Sequence, residues 1–206
     1  MERTRSTGDQ WFVVLLGGLL LLGAAGGLVH AARGTVAALN YKAAKYGTPR
    51  PSTEAVLTLC RHAYAWYPWN YYFSIEAAER AYYDSERPST NAAAWRQQAK
   101  WWCERGLAQN PHKSQLRRLW TRFLWEDSPS QAIAYWSAYT DWNYWEPYNH
   151  AVLAELHAAA GDFDRAGREL ALIEAFPDHA DAAKAVARER QVWDAMLRGA
   201  PDGWGE

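Results

Sequence analysis

Two cysteines in 206 residues, Cys60 and Cys103, are too few for a disulfide framework, and no Cys-x-x-Cys is present to hold a metal, a haem or a redox couple. The chain also lacks a dominant charge, with 22 Lys and Arg against 23 Asp and Glu. That balance gives no electrostatic reason for a nucleic acid or an acidic polymer as partner. No Gly-x-Gly-x-x-Gly, P-loop or Gly-x-Ser-x-Gly occurs, and His62, His112, His150, His157 and His179 show no HExxH or paired-ligand spacing. His150 and His157, seven apart, share a helix face, but no third ligand stands at a matching interval. Catalysis is left without a candidate residue, and no metal and no cofactor are expected.

Val and Ile are scarce while Ala is plentiful, and thirteen Trp, twelve Tyr and five Phe make aromatics 15% of the chain. Such a composition favours helices packed through large rings and small residues over sheets. The expected fold class is all-α.

Trp11 to Ala32, WFVVLLGGLLLLGAAGGLVHAA, is a 22-residue run whose single ionisable residue is His30. A helix crossing the ~30 Å hydrocarbon layer needs ~20 apolar residues, so this run is long enough to span. Trp11 and Arg33 stand at its two ends, where interfacial residues belong. A cleaved signal peptide is the competing reading, with MERTRSTGDQ as charged n-region and Val29-His30-Ala31 as cleavage site. The length of the apolar core and its helical continuation favour a retained anchor. Gly23, Gly27 and Ala31 recur every four residues, a small-xxx-small stripe that lets another helix approach closely, self or other. Arg3 and Arg5 precede the span while Arg33, Lys42, Lys45 and Arg50 follow it. The positive-inside rule alone would place the large domain in the cytoplasm. The export-signal look of the N-terminus favours the opposite, a single-pass protein of the inner (cell) membrane with a periplasmic domain.

Beyond the span, Val36, Leu39, Ala43 and Tyr46 keep a helical spacing until Gly47, and TPRPST (48–53) breaks the helix at its prolines. Helices follow at 53–66, 70–84, 91–109, 114–126, 129–140, 149–160, 163–175 and 179–198. Ser128-Pro129-Ser130-Gln131 combines an N-cap, an N1 proline and a capping-box glutamine. Gly161 suits a C′ position and Asp162 caps the next helix. Three apolar stripes appear: Leu116, Leu119, Trp120 and Phe123; Val152, Leu153 and Leu156; Phe163, Ala166, Leu170 and Ile173. Arg165 and Glu169, four apart, read as a surface pair. The organisation predicted is an N-terminal tail (1–10), a transmembrane helix (11–32), a stalk and linker (33–52), a helical domain (53–198) and a C-terminal tail (199–206).

Trp66-Tyr67-Pro68-Trp69-Asn70-Tyr71 and Trp145-Glu146-Pro147-Tyr148-Asn149-His150 share one pattern of aromatic, any residue, proline, aromatic, asparagine, ring. With Asn110-Pro111 and Phe176-Pro177, the four prolines are separated by 43, 36 and 30 residues, bracketing a period in the mid-thirties. Here the chain resembles the tetratricopeptide repeat family, whose helix-turn-helix units run to about 34 residues. Leu153, Ala154, Ala166, Leu170 and Ile173 fall at its consensus positions, with Gly161-Asp162-Phe163 as the inter-helix turn and Pro177 one place early. Ala99, Cys103, Gly106 and Pro111 fit the second half of a unit, and Cys60, Ala63 and Pro68 the end of the one before. The unit around Trp120 and Tyr139 is degenerate, and the linker 85–91 is longer than the family allows. The likeness covers about Thr53 to Leu197, and it implies a solenoid of three to four helix pairs closed by the charged last helix. In that register the cysteines occupy equivalent positions ~10 Å apart, so core packing is favoured over a bond.

The family presents a groove to peptides and protein surfaces. By the resemblance it is lined by Tyr72 and Glu79, then Arg118, Arg122 and Trp125, then Tyr148 and Glu155. The implied function is a non-catalytic, membrane-anchored interaction protein, an accessory or assembly subunit meeting other membrane subunits and the lipid bilayer. The alternative is an envelope glycan-binding module using exposed Trp and Tyr. Arg117, Arg118 and Arg122 around Trp120 and Trp125 interleave basic residues with rings, a pattern that can bind single-stranded nucleic acid; a solvated Arg face over a buried Trp stripe is the reading favoured, with no nucleic acid. AWYPWNYYF (65–73) reads first as a joint between helices, leaving at most two or three of its six rings open to a ligand.

Overall fold

The computed structural model describes residues 7–199, so most of both expected tails lies outside the described residues. These residues are all-helical, with α1 Thr7–Tyr46, α2 Thr53–Trp66, α3 Tyr72–Ser85, α4 Ala92–Gln109, α5 Ser114–Asp127, α6 Pro129–Trp142, α7 Pro147–Ala159, α8 Phe163–Leu172 and α9 Asp178–Gly199. The chain divides into two compact units, 1–109 and 110–206, with the boundary inside the range expected as one helical domain.

In the first unit α1 is a single unbroken helix of 40 residues, about 60 Å at 1.5 Å per residue. It is long and apolar enough to cross a membrane, with a mean hydropathy of 2.0 and no burial within the chain across the apolar window. Beyond Arg33 the same helix becomes part of a packed core, where α2 and α3 lie against it. The face it buries is not the expected one. Leu39 and Tyr46 are exposed, while Ala37 and Ala44 are buried with Tyr41 half-buried between them. The reason is proximity: small side chains let the α2 backbone approach, and Ala37 closes against Ala63 and Phe73. Residues 33–46 are therefore built into the fold of the first unit. Gly47 follows with its N–H on the Ala43 carbonyl (3.1 Å).

The turns of this unit are tied by side chains. Ser52 caps α2 by accepting from the Ala55 N–H (3.3 Å), and Arg80 donates to Thr53 Oγ1 (3.2 Å) and the Pro51 carbonyl (2.8 Å). Asn70 Oδ1 accepts from the Tyr72 N–H (3.1 Å) at the start of α3. Gln109 closes the unit by donating to Tyr64 Oη (3.3 Å) and the Pro68 carbonyl. Cys60 and Cys103 are thiols rather than a disulfide, and both are fully buried in this core. Burial pushes the Cys60 thiol up to about 12, helped by the Glu76 carboxylate, so it stays protonated and inert.

In the second unit α5 packs on α6, α6 on α7, and α7 on both α8 and α9. The stripes largely match: Leu116, Leu119, Phe123, Val152, Leu153, Ala166 and Ile173 are buried, whereas Trp120, Leu156, Phe163 and Leu170 stop at half-burial. Ser128 caps α6 at a long 3.5 Å to the Gln131 N–H, with Pro129 at the start of the helix. Asp162 caps α8 by accepting from the Arg165 N–H (3.0 Å). Its carboxylate also holds the Arg165 guanidinium (3.2 Å). The Arg165–Glu169 pair expected from spacing is replaced, because Glu169 reaches across to His150 on α7.

The two copies of the Trp-x-Pro motif are built differently. Pro68 sits in the loop after α2, whereas Pro147 opens α7, two residues earlier than the expected helix start. An N1 proline loses no hydrogen bond and its φ is already helical, so the helix extends back to it. Asn149 is consequently buried inside α7, donating to the Asn143 carbonyl (3.0 Å), while its counterpart Asn70 is an exposed-side turn residue.

Gly161 takes φ +80° between α7 and α8, and a Cβ there would lie 3.1 Å from the Trp193 ring of α9. Gly161→Ala meets both a left-handed backbone penalty and the ring. It is expected to destabilise the second unit by about 1–2 kcal/mol, read as a lowered thermal midpoint with unchanged helical content at low temperature.

Candidate functional site

The seven residues expected to line a groove fall in both units, Tyr72 and Glu79 in the first and the other five in the second. Tyr72 is exposed at the start of α3 and stacks on Tyr71 (centroids 4.6 Å apart), and Glu79 is half-buried two turns further along.

Three of the five in the second unit meet. Arg118 projects from α5 to α7, where its guanidinium donates to Tyr148 Oη (2.7 Å) and to Glu155 Oε2 (3.1 Å) and lies 5.4 Å from the Tyr148 ring centroid. Tyr148 and Glu155 are seven apart on α7, two turns, and so share the face that looks at α5. Both members of the ion pair keep about a third of their side-chain surface in water. Screening then limits the pair to about 1 kcal/mol or less, enough to set register rather than to hold the unit together. Arg122 and Trp125 follow Arg118 at the helical spacing on α5, the first exposed and the second half-buried. The result is an α5/α7 face on which one guanidinium joins a phenol and a carboxylate two turns apart on α7, with an exposed Arg one turn further along α5.

Arg117, on the adjoining side of α5, lies over the rings of Tyr135 (5.1 Å) and Tyr139 (4.6 Å) of α6 and donates to the Pro111 carbonyl. With Arg118 over Tyr148, two of the three arginines are turned toward intramolecular rings. Trp120 and Phe123 meet edge to face within the unit.

Residues that spacing did not single out form an aromatic edge after α6. Trp142, Tyr144 and Trp145 are all more than half exposed, and Trp142 stacks on His112 at 4.0 Å. The signal for Trp145 was its place in the repeated motif, which drew attention to the proline instead. His150 is buried beneath this edge, with Nδ1 2.7 Å from Glu169 Oε2 and Nε2 2.6 Å from the Tyr144 carbonyl. Both ring nitrogens thus face oxygen atoms of neighbouring groups. His157, two turns on along α7, is buried without such partners. Burial lowers its pKa, against a weaker opposing pull from Asp162. Among the described residues no group of three or more His, Cys, Asp or Glu side chains is placed to hold a metal ion.

No protein family, curated protein or solved structure matches this chain. The α5/α7 face, the aromatic edge and the apolar helix therefore speak through their own chemistry.

His157 generates a pH dependence. The unfolded chain takes up a proton near the ordinary value of 6.5, and the native state only below it. Native stability falls as pH drops through 6.5 toward the lowered value. In detergent, thermal melts from pH 7.5 to 5.5 are expected to show a loss on acidification that is smaller in His157→Gln.

Proposed function

We propose that this chain is a non-catalytic, single-pass membrane-anchored interaction protein, an accessory or assembly subunit of a larger membrane complex. The reading places it in the inner (cell) membrane with both units on the periplasmic side, as the charged tail ahead of the apolar core suggests. The observation that carries it is the α5/α7 face: the Arg118 guanidinium ties Tyr148 and Glu155 of α7 to α5 and leaves charged groups of both helices at the surface, the kind of face helical-repeat proteins turn toward a peptide or a partner protein. The second support is α1, where a Cβ at Gly23 or Gly27 would meet nothing within 4 Å inside the chain and Ala31 is exposed. That stripe faces outward to lipid or to another helix.

Arg122 is exposed where Arg118 is half-buried, and reversing its charge probes the face directly. Affinity purification from mild detergent with mass spectrometry is expected to recover a membrane-protein partner. Arg122→Glu is expected to weaken the capture severalfold, and Gly23→Leu with Gly27→Leu to weaken it independently, each with wild-type helical content. Capture unchanged by Arg122→Glu removes the α5/α7 face from the proposal; capture unchanged by the glycine pair removes the helix stripe.

Trp142, Tyr144 and Trp145 favour one second reading, an envelope glycan seated on exposed rings. Titration of intrinsic Trp fluorescence with cell-wall oligosaccharides is expected to saturate on that reading, and Trp145→Ala to reduce the amplitude. A flat titration disposes of it.

A further inference from the structure

The loop between α2 and α3 lies at the level where the apolar part of α1 ends. Arg33 Nε donates to the Trp66 carbonyl (3.0 Å), one of the orphan acceptors at the α2 C-terminus. One turn toward the N-terminus, the His30 ring meets Tyr67 edge to face with centroids 5.3 Å apart. Chain geometry agrees with these contacts. From Arg33 to Tyr46 α1 rises about 20 Å, and the 14 residues of α2 bring the chain back by about 20 Å. Measured along α1, the 22-residue run from Trp11 covers about 33 Å, close to the ~30 Å hydrocarbon layer, and it ends at Ala32.

Two large rings project from this loop. Trp69 is 78% exposed and Trp66 47% exposed, while their neighbour Phe73 is buried against Ala37. α4 returns to the same end, since Gln109 bonds to Tyr64 and Pro68. There Arg105 lies 4.6 Å from the Tyr64 ring centroid and 4.8 Å from that of Trp101, in an open cleft that Glu104 also lines.

We infer that the Trp66–Trp69 loop is a second membrane contact, seated in the interfacial layer of the same bilayer that α1 enters, with Trp66 and Trp69 among the lipid headgroups. The inference rests on the anchor reading of α1 given above. An indole prefers this layer because its ring is apolar and its N–H still finds water or a headgroup oxygen. The cations at this end, Arg33 and Arg105, stand at headgroup height, and Glu104 offsets one of them; the small net charge leaves the rings to carry the seating. Anionic lipid is not required. Two points of contact, the helix and the loop, fix the tilt of the first unit where a helix alone would leave it free.

The test uses the full chain with an environment-sensitive nitrobenzoxadiazole label on a single introduced cysteine, reconstituted in phosphatidylcholine vesicles with and without phosphatidylglycerol. Trp69→Cys is compared with Leu21→Cys in the apolar run and Tyr83→Cys at the far end of α3, all exposed positions. Both native thiols are buried and compete poorly for label. At position 69 quenching by aqueous iodide is expected to be severalfold weaker than at 83. Nitroxide lipids labelled near the headgroup should quench it, in both lipid mixtures. A label at 69 as open to iodide as that at 83, with 21 still quenched by deep nitroxide lipids, overturns the second contact and leaves the anchor standing. Shielding at 69 without quenching by shallow nitroxide lipids overturns it in favour of a protein cover. Iodide access at 21 means that the anchor itself fails, and the loop contact with it.

Discussion

The first unit depends on one constraint: α1 does not break. Its N-terminal part exposes leucines and valines on every side, a pattern stable in hydrocarbon, and its C-terminal part hides a narrow alanine stripe, a pattern made for a protein neighbour. The change between the two patterns falls at one point along the helix, and Arg33 marks that point. On one side of it a Cβ added at Gly17, Gly18, Gly23, Gly26 or Gly27 would meet none of the described residues within 4 Å; on the other, Ala63 of α2 closes on Ala37 and Ala44 is buried.

The second unit is organised around α7, which touches α6, α8 and α9. Burial on so many sides puts the polar residues Asn149, His150 and His157 of this helix inside the unit. Asn149 and His150 are answered from the loop 143–146 and from α8, so the polar residues of one helix hold the loop in front of it. The exposed aromatic edge thereby stands on a hydrogen-bonded support.

Helix positions were highly legible in the sequence because their ends are marked chemically. Prolines, the Ser128 and Asp162 caps and Gly161 set boundaries within a few residues of the observed ones. Faces were less legible where small residues do the packing. Along 33–46 the larger Leu39 and Tyr46 drew the eye, yet close approach of backbones selected Ala37 and Ala44, whose hydropathy signal is weak. The partners of charged groups were legible only in part: Arg118 with Glu155 joins residues 37 apart that no local rule connects, and Glu169 abandons its neighbour on the same helix for a histidine nineteen residues away. The repeated Trp-x-Pro motif was a true signal of two helix joints, but the same letters open a helix in one place and close a loop in the other.

Continuity of α1 also makes the first unit sensitive to counting. No flexible hinge interrupts the helix between its apolar run and Ala37, so nothing there absorbs a change of length. Each residue inserted or removed in that stretch would turn the unit about the helix axis by roughly 100° and move it by about 1.5 Å. Four residues would nearly restore the heading at a greater height, while two would point every surface of the unit the opposite way. The helix between the apolar run and the packed core is a phase-setting shaft, and its residue number is as much a part of the protein's specification as any side chain.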